Sequence, residues 1–342
     1  MPSLFNLKPK TSWKEAVSVY LQPKVISMLF LGFAAGLPFL LVFGTLSAWL
    51  TTEDISRSVI GFFSWVGLTY SIKVLWAPVV DRTPLPFLDK WLGRRRGWMF
   101  LAQFGIIAGL IGMAGISPSE NITGMALFAL VVAFSSATQD VALDAYRIEI
   151  IDKEYQGAMA AMYIGGYRLG LLVAGAGALY LGKYMGWSMA YLIMASCMLV
   201  GIITVLMVRE PIVKNNTNVY EREEKVIEYL ENSAHLPELW RKPVAWFIGA
   251  VVCPFTDFFQ RNGSMALIIL LFISVFRISD ITMGVMANAF YIDMGYDLAE
   301  IANITKFFGF FMTLFGAALG GILIVRFGIM RPLLLGAVLV AS

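Results

Sequence analysis

Charged residues are scarce in this chain of 342 residues. Lys, Arg, Asp and Glu together make up 14% of it, and 58% of the residues are hydrophobic. A soluble domain carries roughly a quarter charged residues. The composition therefore excludes an ordinary soluble protein and predicts an all-α integral membrane protein with many spans. The net charge of +3 is too small to indicate nucleic acid as a partner.

Cysteine and histidine are almost absent. The two cysteines, Cys197 and Cys253, do not form a disulfide framework. His235 is the single histidine, and it lies in a polar linker, where a surface residue is expected. There is no metal-ligand cluster and no Ser/His/Asp arrangement, so we expect no metal, no cofactor and no enzyme. A transferase acting on lipid-linked sugars would need a catalytic loop, and a receptor would need an output domain.

Long hydrophobic runs dominate the sequence. A membrane span needs about 20 apolar residues, and eight runs meet that length. They are numbered spans one to eight and cover residues 25–50, 58–80, 97–116, 122–146, 156–182, 187–208, 264–291 and 299–325. A ninth run begins near Pro332, and the chain stops at Ser342 after roughly 15 Å of helical rise. We therefore expect a chain truncated in span nine.

Positive charge alternates between the loops. The N-terminal arm, the loop after span two and the loop after span eight are rich in Lys and Arg, and the alternate loops are poor in them. This pattern predicts a cytoplasmic N-terminus. Residues 1–208 are expected to form a six-helix bundle, 209–263 a cytoplasmic linker, and 264–342 the start of a second bundle. Residues 244–259 fit either a short span or an amphipathic helix at the membrane surface, and the charge pattern favours the helix.

Ionisable residues within spans are costly and are functional candidates by default. They form two expected groups, one in each half: Lys73, Asp140 and Arg168, and Arg277, Asp280 and Lys306. Buried ion pairs that fix helix packing are the alternative role, and for Lys73 and Arg168 the two roles are equally supported. For Asp140 and Asp280 we favour proton binding, because a carboxylate in a low-dielectric setting holds its proton more tightly unless a cation offsets the effect.

The loop after span two reads DRTPLPFLDKWLGRRRGW. It resembles the signature of the major facilitator superfamily at this position, although the DR pair and the glycine are further apart than usual. Six spans, a long linker and further spans also resemble the layout of that superfamily, which implies a fold of two helical bundles. Asp81, Arg82, Arg94 and Arg95 match the signature. The resemblance implies that they gate the transporter through a charge network that latches one conformation.

Residues 134–149, FSSATQDVALDAYRIE, resemble the span-four signature of the AmpG-type anhydromuropeptide permeases. Other stretches agree in order, among them LGFAAGLPF, SIKVLWAPVVDR, GYRLGLLVAGAGAL and FRISDITMG. The resemblance implies import of N-acetylglucosaminyl-anhydro-N-acetylmuramyl peptides across the bacterial inner membrane, driven by the proton gradient, in peptidoglycan recycling and β-lactamase induction. Related members carry acetyl-coenzyme A or siderophores, so a different solute is the alternative.

An anionic sugar-peptide needs hydrogen-bonding side chains and positive charge around a hydrated cavity. Asp144 and Arg147 are expected to act as a gate at the cytoplasmic mouth, since they follow Asp140 on span four. The expected partners are muropeptide, protons and the lipid bilayer, with no nucleic acid, and the expected state is a monomer. The side chains expected to bind substrate are Gln139, Gln103, Tyr163, Tyr167, Asn288 and Trp65.

Overall fold

A computed structural model describes residues 19–151, 156–211, 224–233, 237, 241, 244–245, 247–309 and 311–312. Within these ranges, the side chains of residues 82, 157, 224–225, 250–251, 254–255, 257, 272–284 and 306–307 lie outside the described part. The described residues form helices and loops and contain no strand. The predicted all-α class is therefore confirmed.

The first six predicted spans correspond to six helices that are long and apolar enough to cross a membrane. They cover Pro23–Thr52, Arg57–Leu75, Arg94–Ala114, Ile122–Glu149, Ala158–Met185 and Trp187–Met207. Because successive spans alternate in direction, the starts of spans one, three and five lie at the same end of the bundle. We name it the latch end, after the charged cluster described below, and the opposite end the far end.

Several spans contain breaks in their regular helix. Span one comprises Pro23–Val42 and Gly44–Thr52, span five Gln156–Leu172, a π-helical turn at Val173–Gly177 and Ala178–Met185, and span six Trp187–Cys197 and Leu199–Met207. Thr45 Oγ1 in span one donates to the carbonyl of Ala174 in span five at 2.7 Å. The two irregular stretches therefore face each other at the same depth.

Span two is the least regular helix, and Pro78 explains part of it. The span runs through Arg57–Phe62, a 3₁₀ turn at Phe63–Gly67, Leu68–Ile72, a second 3₁₀ turn at Lys73–Leu75, and Ala77–Arg82. Pro78 has no N–H, and its ring crowds the carbonyl four residues earlier, so the regular α-helical hydrogen bonding is interrupted here. The tightened second turn ends just before this proline and carries Lys73.

The remaining described helices follow the loops and the linker. They are Leu88–Leu92 before span three, Glu224–Asn232, a π-helical turn at Ile248–Val252 leading into Cys253–Asn262, span seven at Met265–Asp293, and Leu298–Ile301 leading into a π-helical stretch at Ala302–Phe308. Val226, Ala245 and Cys253 form a small buried cluster. Residues 244–259, predicted as a surface helix, are helical from Ile248 to Phe259 and continue to Asn262; their position relative to the membrane stays a prediction. Most of span eight and all of span nine lie outside the described residues.

Glycines bring spans one and five into backbone contact. A Cβ added to Gly166 would lie 1.9 Å from the carbonyl oxygen of Leu29, and one added to Gly36 would lie 2.2 Å from that of Tyr167. Gly32 and Gly170 are equally enclosed by backbone atoms. Small residues at four-residue spacing allow such approach between membrane helices. This interface fixes span one against span five at the centre of the bundle.

Candidate functional site

A carboxylate and an ammonium group meet between spans two and four. Lys73 Nζ lies 3.5 Å from Asp140 Oδ2, and their side chains are 34% and 19% exposed. The second oxygen, Oδ1, is buried without a hydrogen-bond partner among the described residues. The 3₁₀ turn of span two thus presents a cation to the one carboxylate in the middle of this polar stretch of span four.

Polar side chains surround Asp140 along span four. Ser136, Thr138 and Gln139 are all buried. Trp76 reaches across from span two and donates its indole N–H to Thr138 Oγ1 at 3.1 Å. Both amide atoms of Gln139 are buried and lack a hydrogen-bond partner within the described residues. A membrane helix tolerates such groups where they meet water, cargo or one another, and this band presents unpaired polar atoms within the membrane-spanning part of the bundle.

A second charged cluster lies where spans two and four end and span three begins. The Arg95 guanidinium donates to Asp81 Oδ1 at 2.7 Å and to both oxygens of Glu149 at 2.6 and 3.0 Å. Its side chain is only 7% exposed. The two-pronged contact with Glu149 matches the geometry in which guanidinium binds carboxylate most strongly. We name Asp81, Arg95, Glu149 and Glu210 the latch cluster.

Glu210 joins the start of the linker to the latch cluster. Span three begins after Gly93, which has no side chain to cap the helix, and Glu210 accepts the backbone N–H groups of Arg95 and Arg96 at 2.8 and 3.1 Å. A carboxylate at this position satisfies free N–H groups and opposes the positive end of the helix dipole. Burial raises the pKa of Glu210 above its ordinary value, and the two N–H donors act against that rise.

At the far end, polar contacts join the first six spans to spans seven and eight. Arg57 Nη2 lies 2.7 Å from Asp293 Oδ2, and Lys183 forms an ion pair with Asp297. The hydrogen bond from Lys183 lowers the pKa of Asp297 below its ordinary value. Deeper in, Asn288 Nδ2 donates at 2.5 Å to the carbonyl of Gly44, beside the break in span one. These contacts join spans one, two and five to the start of span eight and the end of span seven at the far end.

The expected gate and tyrosine residues lie together on spans four and five. Arg147 Nη2 is 3.3 Å from Asp144 Oδ1, and its guanidinium lies 5.4 Å from the ring centroid of Tyr163. The rings of Tyr163 and Tyr167 are 6.1 Å apart. Asn288, expected to bind substrate, is buried, with 1% of its surface exposed. Its Nδ2 donates to the carbonyl of Gly44, and its Oδ1 has no hydrogen-bond partner among the described residues.

Other expected site residues are not brought to Asp140. Arg168 forms no ion pair with any residue whose side chain is described. Trp65 is 68% exposed, beside Phe62. Gln103 is fully buried near Gly201, between spans three and six. The side chains of Arg82, Arg277, Asp280 and Lys306 lie outside the described part of the chain, and Arg94 has a buried Nε without a partner there.

Sequence reasoning missed two of the three latch carboxylates, Glu149 and Glu210, and both far-end ion pairs. Glu149 ends the same stretch, FSSATQDVALDAYRIE, in which Asp140 and Asp144 were singled out. An acidic residue at the end of a span, opposite an arginine-rich loop, was an available signal for it. Glu210 gave one weaker sign, since a helix that starts after glycine takes its cap from elsewhere. Asp293 and Asp297 gave none, because their partners are far away in sequence.

The comparisons with known proteins agree on one family. The model of the Major Facilitator Superfamily matches residues 28–342. The anhydromuropeptide permease of Escherichia coli K12 is 36% identical over 94% of this chain, and the chain spans 59% of that relative's length. The putative transporter AmpG 4 of Rickettsia felis is 34% identical over 91% of this chain and 70% of its own length.

A solved structure supports the fold. It is a bacterial homologue of the human lysosomal transporter Spinster, described as inward-facing and unoccupied, with a TM-score of 0.50 and 15% identity over 93% of this chain and 64% of that chain. The relatives are permeases and transporters, which confirms the predicted class of protein over an enzyme. The chain is a multi-pass membrane protein that belongs to the major facilitator superfamily and, within it, to the AmpG-like transporters.

Proposed function

We propose that this protein imports anhydromuropeptides into the cytoplasm by proton symport. The observation that carries the proposal is the Lys73–Asp140 pair, held at 3.5 Å within the membrane-spanning part of the bundle. The 36% identity to a protein described as an anhydromuropeptide permease, over 94% of the chain, supports the choice of cargo. The function lies in peptidoglycan recycling, and control of β-lactamase induction is part of the same proposal.

Asp140 is the proposed proton carrier. While its carboxylate is ionised, it neutralises Lys73; when it takes up a proton from water on the periplasmic side, that neutralisation ends. Lys73 then offers its positive charge to the anionic cargo, and the polar band of Thr138 and Gln139 offers hydrogen bonds. Release of the proton to the cytoplasm restores the Lys73–Asp140 pair and favours release of cargo. Proton and cargo therefore move in the same direction.

The two ends of the bundle are the proposed gates. The Arg57–Asp293 and Lys183–Asp297 pairs hold the two halves together at the far end, which faces the periplasm in this proposal. The latch cluster faces the cytoplasm. This orientation agrees with the excess of Lys and Arg in the loops of the latch end. We place the protein in the bacterial inner membrane as a monomer, with a six-helix unit at 1–208, a linker at 209–263 and the second unit from 264.

Uptake by cells that lack their own muropeptide permease tests the proposal. The full-length protein is expressed there, and labelled GlcNAc-anhydroMurNAc-tripeptide is followed with and without a protonophore. Uptake should collapse when the proton gradient does. A siderophore or an acyl-coenzyme A derivative that competes better than muropeptide would contradict the cargo.

Asp140→Asn tests the proton carrier with little change of shape. Accumulation against a gradient should be lost, while cargo exchange across the membrane persists, because exchange needs no net proton movement. Glu120→Gln, which alters an exposed acid in a far-end loop, is the control and should accumulate cargo normally. Normal accumulation by Asp140→Asn, with equal protein in the membrane, would overturn the proposed coupling.

A further inference from the structure

A cavity of about 680 Å³ opens at the latch end, outside the site described above. The first turn of span one, the end of span four and the end of span six form its walls. Phe30 and Met207 line it and are themselves 43% and 79% exposed on the outer face of the bundle. The cavity therefore has an apolar side that continues onto the surface facing the hydrocarbon.

Two cations stand at the polar side of this cavity. Lys24 and Arg209 are its only charged lining residues within the described part of the chain. Lys24 donates to the carbonyl of Ile150 at 3.1 Å, and Tyr146 donates to the carbonyl of Arg209 at 3.2 Å. Glu210, the acid nearest in sequence, is turned to the N–H groups of span three. Among the described lining residues, none carries a negative charge that would neutralise the two cations.

The start of span one adds to the positive potential. Gln22 precedes the helix and makes no side-chain cap, Pro23 has no N–H, and both residues line the cavity with Lys24. The N–H groups of Val25 and Ile26 donate to the carbonyl of Gln22 at 2.9 Å, and the positive end of the helix dipole still favours an anion here. A soluble anion would leave the apolar wall unused, and a neutral lipid would leave the cations unused.

We propose that this cavity binds an anionic phospholipid of the adjoining leaflet. The phosphate lies between Lys24 and Arg209, and an acyl chain follows the wall of Phe30 and Met207 to the outer surface. Basic pockets between membrane helices bind such headgroups, and the volume lies within the range of ligand sites in proteins. Since Arg209 precedes Glu210, the bound lipid also holds the segment that caps span three.

Titration of phosphatidylglycerol tests the site directly. The full-length protein in phosphatidylcholine micelles is titrated with phosphatidylglycerol, and bound lipid is counted by native mass spectrometry. Each Lys or Arg near an anionic lipid contributes about fivefold in affinity. The Lys24→Gln/Arg209→Gln variant should therefore bind about 30-fold more weakly. Lys24→Arg/Arg209→Lys keeps both charges and should bind normally, as should Lys90→Gln, which removes an exposed cation from the same end.

Three results would overturn the proposal. Unchanged binding by the double Gln variant would exclude Lys24 and Arg209 as the groups that bind the lipid phosphate. Equal retention of phosphatidylcholine, or displacement by glycerol 3-phosphate, would exclude an anionic lipid as the specific occupant. Binding that appears only after deletion of residues 2–18 would assign the cavity to the chain's own N-terminal arm. A melting temperature that rises with phosphatidylglycerol in wild type and not in the double Gln variant supports the link to span three.

Discussion

Gly166→Ala should loosen the contact between spans one and five. A Cβ at this position would lie 1.9 Å from the carbonyl oxygen of Leu29, 2.8 Å from its carbonyl carbon and 2.9 Å from the backbone nitrogen of Phe33. Carbon and oxygen atoms normally approach to about 3.3 Å, so the helices must separate by roughly 1.4 Å at this point. All three obstacles are backbone atoms, so no side-chain rotation relieves the overlap.

The adjacent glycine provides a matched control. A Cβ at Gly165 would meet only Leu29 Cδ1, at 3.8 Å, which is ordinary contact. Both substitutions gain the same helix propensity, about 1 kcal/mol in favour of Ala, so this gain cancels in the comparison. Overpacking costs about 1–3 kcal/mol. Gly166→Ala should therefore be less stable than Gly165→Ala by about 1–3 kcal/mol.

Unfolding of the purified full-length protein by dodecyl sulfate in mixed micelles measures the difference. The free energy of unfolding is compared between the two variants in the same detergent. Equal stabilities would refute the reasoning, because they would mean that spans one and five do not meet through backbone at Gly166. A loss in Gly165→Ala as large as that in Gly166→Ala would refute it equally.

Two further predictions concern the ends of the bundle. Glu149→Gln should lower the free energy of unfolding by about 1–3 kcal/mol, and Asp81→Asn by less, because Glu149 accepts two hydrogen bonds from the guanidinium and is the less exposed carboxylate; the reverse order in chemical denaturation contradicts this account. At the far end, Asp297→Lys should increase labelling of an Asn288→Cys reporter by an impermeant maleimide, and adding Lys183→Asp should restore protection. Since the ion pair lowers the pKa of Asp297, its contribution to stability is full above the ordinary aspartate pKa and is lost as pH falls through the lowered one, which chemical denaturation at acid pH measures. Labelling at neutral pH that ignores the charge at both positions would exclude the ion pair as a closure.

The spans themselves were predictable from the sequence because burial in lipid demands long apolar runs. Those runs located the six described helices of the first half to within a few residues. The four-residue spacing of Gly32 and Gly36, and of Gly166 and Gly170, is also visible in the sequence, and these glycines form the close contact between spans one and five. Each of these features depends on residues near one another in the chain.

The breaks within spans were only partly accessible. Pro78 in span two was visible in the sequence as a cause of irregular backbone. The hydropathy pattern alone, however, predicted an uninterrupted span. In span one, the interruption at Phe43 comes five residues after Pro38, without a proline of its own. It persists because Asn288 and Tyr191 satisfy backbone carbonyls on either side of it. Those partners come from other spans, so local sequence did not indicate them.

The candidate site was likewise only partly predictable from the sequence. Depth in adjacent spans was enough to suggest that Lys73 and Asp140 belong to one group, and they lie 3.5 Å apart. Arg168, expected in the same group, forms no ion pair with any residue whose side chain is described, since position along a helix does not specify the direction in which a side chain points. Glu210 accepts the backbone N–H of Arg95, 115 residues earlier in the chain, a pairing that only the folded backbone reveals.

The facing irregularities of spans one and five give this half of the protein a natural hinge. On the latch side of the Thr45–Ala174 hydrogen bond, the glycines hold the two helices in close backbone contact. Beyond it, the short helices Gly44–Thr52 and Ala178–Met185 contact spans seven and eight. We therefore expect any opening of the far end to bend the two helices at this level, while the glycine-packed part keeps its shape. Substitutions in the glycine-packed part should then change the amount of folded protein, and substitutions at the hinge should change the rate of transport.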